Sequence, residues 1–173
     1  SMDFVSDSLS NGRRIKCLTV ADDFSHECVD IAVDFGISGH YVTRLLDQAA
    51  IFRGYPVAVR TDNGPEFTSR AFLAWTTLHG IRHILIQPGR PMQNGYIESF
   101  NGKFRDECLS VHWFTHLADA RRQIEIWRQD YNHYRPHSTL GYIPPAKFAA
   151  QCLQRAAGTV RTDPSTTIAT MDS

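Results

Sequence analysis

The chain has no apolar run approaching the length of a membrane span. No signal-peptide pattern is visible at its start. No Cys-x-x-Cys pair occurs, and Cys17, Cys28, Cys108 and Cys152 are scattered. That spread disfavours a disulfide framework or a zinc site and points to buried, reduced thiols in a cytoplasmic protein. Net charge is also absent, with 18 Lys and Arg against 18 Asp and Glu. A free-standing, tight nucleic-acid binder is normally basic, so the chain alone does not read as one. There is no internal repeat.

What is present suits a packed globular domain. The 173 residues are 42% hydrophobic and 11% aromatic, enough for one real core. The charges are unevenly spread. Residues 1–81 carry 7 basic against 10 acidic side chains, and residues 82–135 carry 8 against 6. A phosphate-facing surface is therefore expected in the second half, although solvated faces explain the difference equally well.

The pattern begins with strands. "MDFVS", "RIKCLTVADDFS" and "ECVDIAVDF" read as an antiparallel meander, with Asn11-Gly12 as a hairpin signal and Asp22-Asp23 in a polar turn. The period then changes. Ser38 is placed to cap a helix burying Val42, Leu45, Leu46 and Ala49, which Gly54 and Pro56 end. "PVAVRT" is a short apolar strand, as when both sheet faces are covered. A helix from Thr68 or Ser69 to Gly80 is expected to bury Phe72, Trp75 and Leu78 before the strand "IRHILI". "QPGRPMQNG" is a loop. Beyond it, Ile97, Phe100, Phe104 and Cys108 form a helical stripe. A last helix from Leu117 to Tyr134 carries Ala120, Ile124, Trp127, Tyr131 and Tyr134 on one face. Residues 1–150 read as the folded domain and residues 151–173 as a polar, flexible tail. The helix between the third and fourth strands is a crossover, so the later strands pair in parallel. The fold class is α/β, a mixed five-stranded sheet with helices on both faces.

Three acids stand out against this pattern. Asp62, in "RTDNGPEF", ends the fourth strand, and ligands of open α/β sheets sit beyond such carboxyl ends. Asp3 lies inside the first strand between Met2 and Phe4, where a carboxylate is costly unless a cation compensates it. Glu98 follows Ile97 at the edge of a buried stripe. With no Cys or His partner, three carboxylates suit a hard cation such as Mg2+ or Mn2+. Each acid has a plainer reading. Asp62-Asn63-Gly64 is a natural Asx turn, Asp3 an edge residue, and Glu98 a solvated helical Glu. Between Asp62 and Glu98 lie 35 residues (63 to 97), room for a helix, a strand and a loop.

"MDF" with Asp3, "RTDNGPEFTS" with Asp62 and "QNGYIESFNGKFRDE" with Glu98 resemble the integrase core of DDE transposases and retroviral-type integrases. The 35-residue gap matches that family's spacing. "YNHYRPHSTLGYIPPAKF" resembles the end of the catalytic domain in bacterial insertion-sequence transposases. The resemblance covers about residues 2–150 and, with three motifs in order, is highly specific. It implies a ribonuclease H-like fold, DNA strand cleavage, and strand transfer by the freed 3′-hydroxyl. It also implies that Asp3, Asp62 and Glu98 are catalytic and bind a pair of divalent ions. DNA, both transposon ends and target, is the implied partner, with the protein acting as a dimer or larger multimer. Full-length members carry a helix-turn-helix region ahead of this core, and none is visible in this sequence.

For DNA contact, Asn94 and Arg105 share the face of Glu98, one turn before it and two turns after. Lys103 is turned further away. Arg90 and Gln93 lie in the preceding loop. Glu107, Asp106, Glu66, Asp22 and Asp23 lack a placement that favours catalysis. Trp127, Tyr131 and Tyr134 read as core, and His133 and His137 as structural. Glu98 is the acid most easily displaced without metal or DNA. Two rival readings stay open: a structure-specific nuclease on the same fold that does not join strands, and a catalytically silent DNA-binding or assembly module.

Overall fold

The computed structural model describes residues 1–87 and 95–160, with side chains through residue 157. Strands β1 (Met2–Ser8), β2 (Arg14–Ala21) and β3 (Cys28–Asp34) form the expected meander, with Asp3 opposite Thr19 and Phe4 opposite Leu18. The β1–β2 hairpin closes through Gly12 N–H to Leu9 O at 2.8 Å. In the β2–β3 turn, Asp22 Oδ1 accepts the amide of Phe24 at 2.8 Å.

Helix α1 (Gly39–Arg53) starts where the Ser38 hydroxyl accepts the Tyr41 amide at 3.2 Å. It stops at Gly54, whose φ of 74° only glycine adopts freely. Strand β4 (Ala58–Thr61) follows, then α2 (Arg70–Leu78) capped by Ser69, and β5 (Arg82–Leu85), which pairs with β4 in parallel. The strands form a three-stranded antiparallel sheet, β1-β2-β3, and a two-stranded parallel sheet, β4-β5. Among the described residues no ladder bonds join β1 to β4, although the two lie side by side.

Alternation along the strands sends side chains to two cores. On one face Val5, Cys17 and Val33 pack against Ile97, Phe100 and Phe104 of α3 (Gly95–Phe104) and Ile124, Trp127 and Tyr131 of α4 (Leu117–His133). On the other, Met2, Leu18 and Val20 meet Leu45 of α1 and Phe72 and Trp75 of α2. Helix α3 continues into a π-helical turn, Arg105–Leu109. Polar groups of α4 close the outer edge of β3. Asn132 accepts the Cys28 amide and donates to its carbonyl, both at 2.8 Å, and Arg121 Nε donates to Val33 O at 2.8 Å. Such cover removes an open sheet edge.

Three details differ from the sequence reading. Leu78 is 80% exposed, and Thr76 takes the buried place. Each three-residue step falls about 60° short of a full turn, so the third residue drifts off the face. Tyr134 is 76% exposed because it is the C-cap of α4, where the backbone leaves the helical path. A further helix, α5 (Pro145–Val160), carries the chain past residue 150. Residues 161–173 of the expected tail lie outside the described residues. Cys17, Cys28 and Cys108 are buried and unpaired. No helix of the described residues is long and apolar enough to cross a membrane.

Candidate functional site

Asp3 is half-buried on the α3 side of β1, and both of its oxygens are engaged. Oδ1 accepts the Phe4 amide at 2.7 Å, and Oδ2 accepts from Asn101 Nδ2 at 2.8 Å. Asn101 is buried, and its own Oδ1 accepts from Thr19 Oγ1 at 2.9 Å. Thr19 stands directly across the ladder from Asp3. A short polar chain, Thr19–Asn101–Asp3, therefore passes from β2 through the helix of Glu98 to β1. Burial raises the Asp3 carboxyl above its ordinary pKa. The Phe4 amide opposes this, the Asp62 charge adds to it, and Asn101 and Arg105 pull it back down.

Asp62 follows the last residue of β4. Its Oδ1 accepts the Gly64 amide at 2.9 Å, so the Asx turn is real and orients the side chain. Behind it, fully buried Thr61 donates to Asp62 O at 2.9 Å and contacts His83 Nε2 at 2.8 Å. The next turn is tied back at Ser69, whose hydroxyl donates to Glu66 O at 2.8 Å. A Cβ at Gly39 would stand 2.0 Å from Ser69 Oγ, so glycine is required for α1 to approach this turn.

Glu98 lies in the first turn of α3 and is exposed. Buried Ile97 and Phe100 hold that turn to the sheet, and Tyr96 donates its hydroxyl to His26 O at 2.9 Å. Asp62 is close enough for its charge to act on Asp3. Among the described residues no three His, Cys, Asp or Glu side chains converge as a metal cage. The donor chemistry still fits a hard cation. Asp3 and Asp62 present carboxylate oxygens only, and each Asp3 oxygen keeps a lone pair beyond the one it has engaged.

Of the residues expected to face DNA, Arg105 is exposed on the π-helical turn, and its charge reaches Asp3. Lys103 is exposed on another side, where its charge acts on His26 and His137. Arg90, Gln93 and Asn94 lie outside the described residues. Glu107 is engaged elsewhere, paired with Arg135 and accepting from Trp127 Nε1 at 3.2 Å.

Sequence reasoning missed Asn101. The signal was there: it lies four residues after Ile97, on the buried stripe, where an amide needs partners. Thr19 gave no comparable cue, because its role depends on strand register.

The antiparallel meander β1–β3, the helical crossover and the parallel β4–β5 pair make a ribonuclease H-like α/β fold, with Asp3 on its first strand within reach of the Asp62 charge. The HTLV-2 integrase catalytic core domain in complex with magnesium, in its trimeric form, has this fold. It matches with a TM-score of 0.64 at 18% identity, over 85% of this chain and 92% of that one. The model of the integrase core domain matches residues 1–91, and a second integrase core model matches residues 79–145. The chain belongs to the integrase core domain family. Its relatives include an uncharacterized 39.2 kDa protein of insertion element IS476 from Xanthomonas euvesicatoria, 75% identical over 87% of this chain and 43% of that protein. A 31.7 kDa protein of IS407 from Burkholderia multivorans is 68% identical over 87% of this chain and 54% of its own length. The putative transposase InsK of IS150 from Escherichia coli is 24% identical over 85% of this chain and 53% of that protein. The chain spans about half the length of these relatives.

Proposed function

We propose that this chain is the catalytic core of an insertion-element transposase, cutting a DNA strand and joining the freed 3′-hydroxyl to target DNA. The observation that carries this reading is that Asp3, within reach of the Asp62 charge, is held by Asn101 from the helix that bears Glu98. Membership of the integrase core family and kinship with insertion-element proteins support it.

Phosphoryl transfer asks a protein for positioning and charge stabilisation rather than a covalent nucleophile. Divalent ions, Mg2+ or Mn2+, held by Asp3, Asp62 and Glu98 would activate the attacking oxygen and stabilise the leaving 3′-oxygen. The protein's own part is to aim the ligands. Asn101 fixes the Asp3 carboxylate, the Gly64 amide fixes Asp62, and Ile97 and Phe100 anchor the turn that carries Glu98. Arg105, whose charge reaches Asp3, is placed to meet a phosphate brought to these acids. The substrate is DNA, and pairing two transposon ends calls for a dimer or larger assembly. A bacterial DNA substrate places the protein in the cytoplasm.

Asp62→Asn and Glu98→Gln are expected to fold as the parent does and to lose both nicking and joining in Mn2+. Metal-dependent cleavage by either variant sinks the assignment. Nicks without joined products from the parent would instead identify a nuclease.

A further inference from the structure

Asp3 lies on β1 and Asp62 directly follows β4, and these two strands share no ladder bonds among the described residues. Side chains must therefore set their spacing. The residue after Asp3 is Phe4, and the Asp62 turn ends in Glu66-Phe67. Phe4 and Phe67 stack with ring centroids 5.2 Å apart, and Phe67 is fully buried. Lys16, on β2, holds its Nζ 4.0 Å from the centre of the Phe4 ring and ion-pairs with Glu66. The Glu66 side chain is only 13% exposed, so this pair is screened far less than a surface pair.

A Cβ at Gly64 would stand 2.9 Å from Asp62 Oδ1 and 3.3 Å from Glu66 Oε2. The two carboxylates therefore border one small space. Unneutralised, Glu66 would repel Asp62 and compete for any cation it held.

We propose that Lys16 and Glu66 are positioning residues that keep the Asp62 turn in register with Asp3 and keep the Glu66 charge away from the acid pair. This rests on the functional reading above, in which those two acids act together. Lys16 does both jobs from one place: its ammonium neutralises Glu66, and its position over Phe4 ties that neutralisation to the strand of Asp3.

The test uses Glu66→Gln, Lys16→Met, Lys16→Arg and the charge-swapped Lys16→Glu/Glu66→Lys. Two measurements are made: Mn2+-dependent nicking of a supercoiled plasmid, resolved into kcat and KM, and amide exchange at Phe67 and Thr68, whose N–H groups bond Gly64 O. Each charge-removing single variant is expected to lose about tenfold in kcat with KM within about twofold. Its Phe67 and Thr68 amides exchange about tenfold faster while α4 is unaffected. Lys16→Arg and the swapped pair recover both readouts. Parent-like single variants, no recovery in Lys16→Arg and the swap, or faster exchange throughout the chain would overturn the proposal. If the parent itself does not nick the plasmid, the functional reading fails, and the exchange pattern alone decides the positioning role.

Discussion

Asn101 Nδ2 donates to Asp3 Oδ2 across 2.8 Å, linking the helix of Glu98 to the strand of Asp3. This bond favours the charged form of a carboxyl that burial holds above its ordinary pKa. Asn101→Leu keeps the side chain's bulk and removes the donor. The Asp3 pKa then rises further, so the acid limb of the pH–rate profile moves to higher pH. Unfolding in urea is expected to cost about 1–2 kcal/mol less than in the parent. A profile that does not move would show that Asn101 only fills space.

Gly39 gives the second prediction. A methyl group there meets Ser69 Oγ at 2.0 Å and Glu66 O at 2.8 Å, in the turn between Asp62 and α2. Gly39→Ala should lose about 1–3 kcal/mol of stability through overpacking. In a Ser69→Gly background the same change should cost less, because the nearer clash is gone. A double-mutant cycle by urea unfolding reads the difference.

His137 supplies a pH dependence. Its ring is buried against Tyr131, 4.7 Å between centroids, and Nε2 has no hydrogen-bond partner among the described residues. Burial, with Lys103, His26 and Arg135 nearby, lowers its pKa from 6.5 to about 4. The folded state thus binds this proton less tightly than the unfolded chain. Its stabilising effect is fully present above pH 6.5 and is lost as pH falls toward 4. His137→Phe keeps the aromatic contact and removes the titration. Between pH 7 and pH 4 its melting temperature should fall less than that of the parent, as measured by circular dichroism.

Arg105 and Lys103 separate two surfaces. Arg105 is electrostatically felt at Asp3, whereas Lys103 acts on His26 and His137. Arg105→Ala should therefore reduce the slope of log affinity against log salt by about one and weaken DNA binding more than Lys103→Ala does. Fluorescence anisotropy over a salt series measures both.

Much of this was legible in the chain. The strand alternation, the Ser38 cap and the Asx turn at Asp62 all depend on neighbours within a few residues, and local chemistry dictates them. Leu78 was misread because apolarity at a three-residue step resembles a buried stripe without staying on it. Tyr134 was misread because a helix's last periodic residue can already be its cap. The far half of helix α5 was missed because its amphipathic, alanine-rich run leads straight into a polar, threonine-rich sequence, and the two were read together as a tail.

The sequence by itself determined where three candidate acids stand, since type, order and spacing put Asp3 in β1, Asp62 just after β4 and Glu98 in α3. Tertiary structure decided how they are held. Asn101 reaches Asp3, Thr19 reaches Asn101, and Lys16 reaches Glu66 only because β1, β2, α3 and the Asp62 turn fold onto one another. These partners are 50 to 98 residues apart along the chain, beyond any local period, so only packing brings them within hydrogen-bond range.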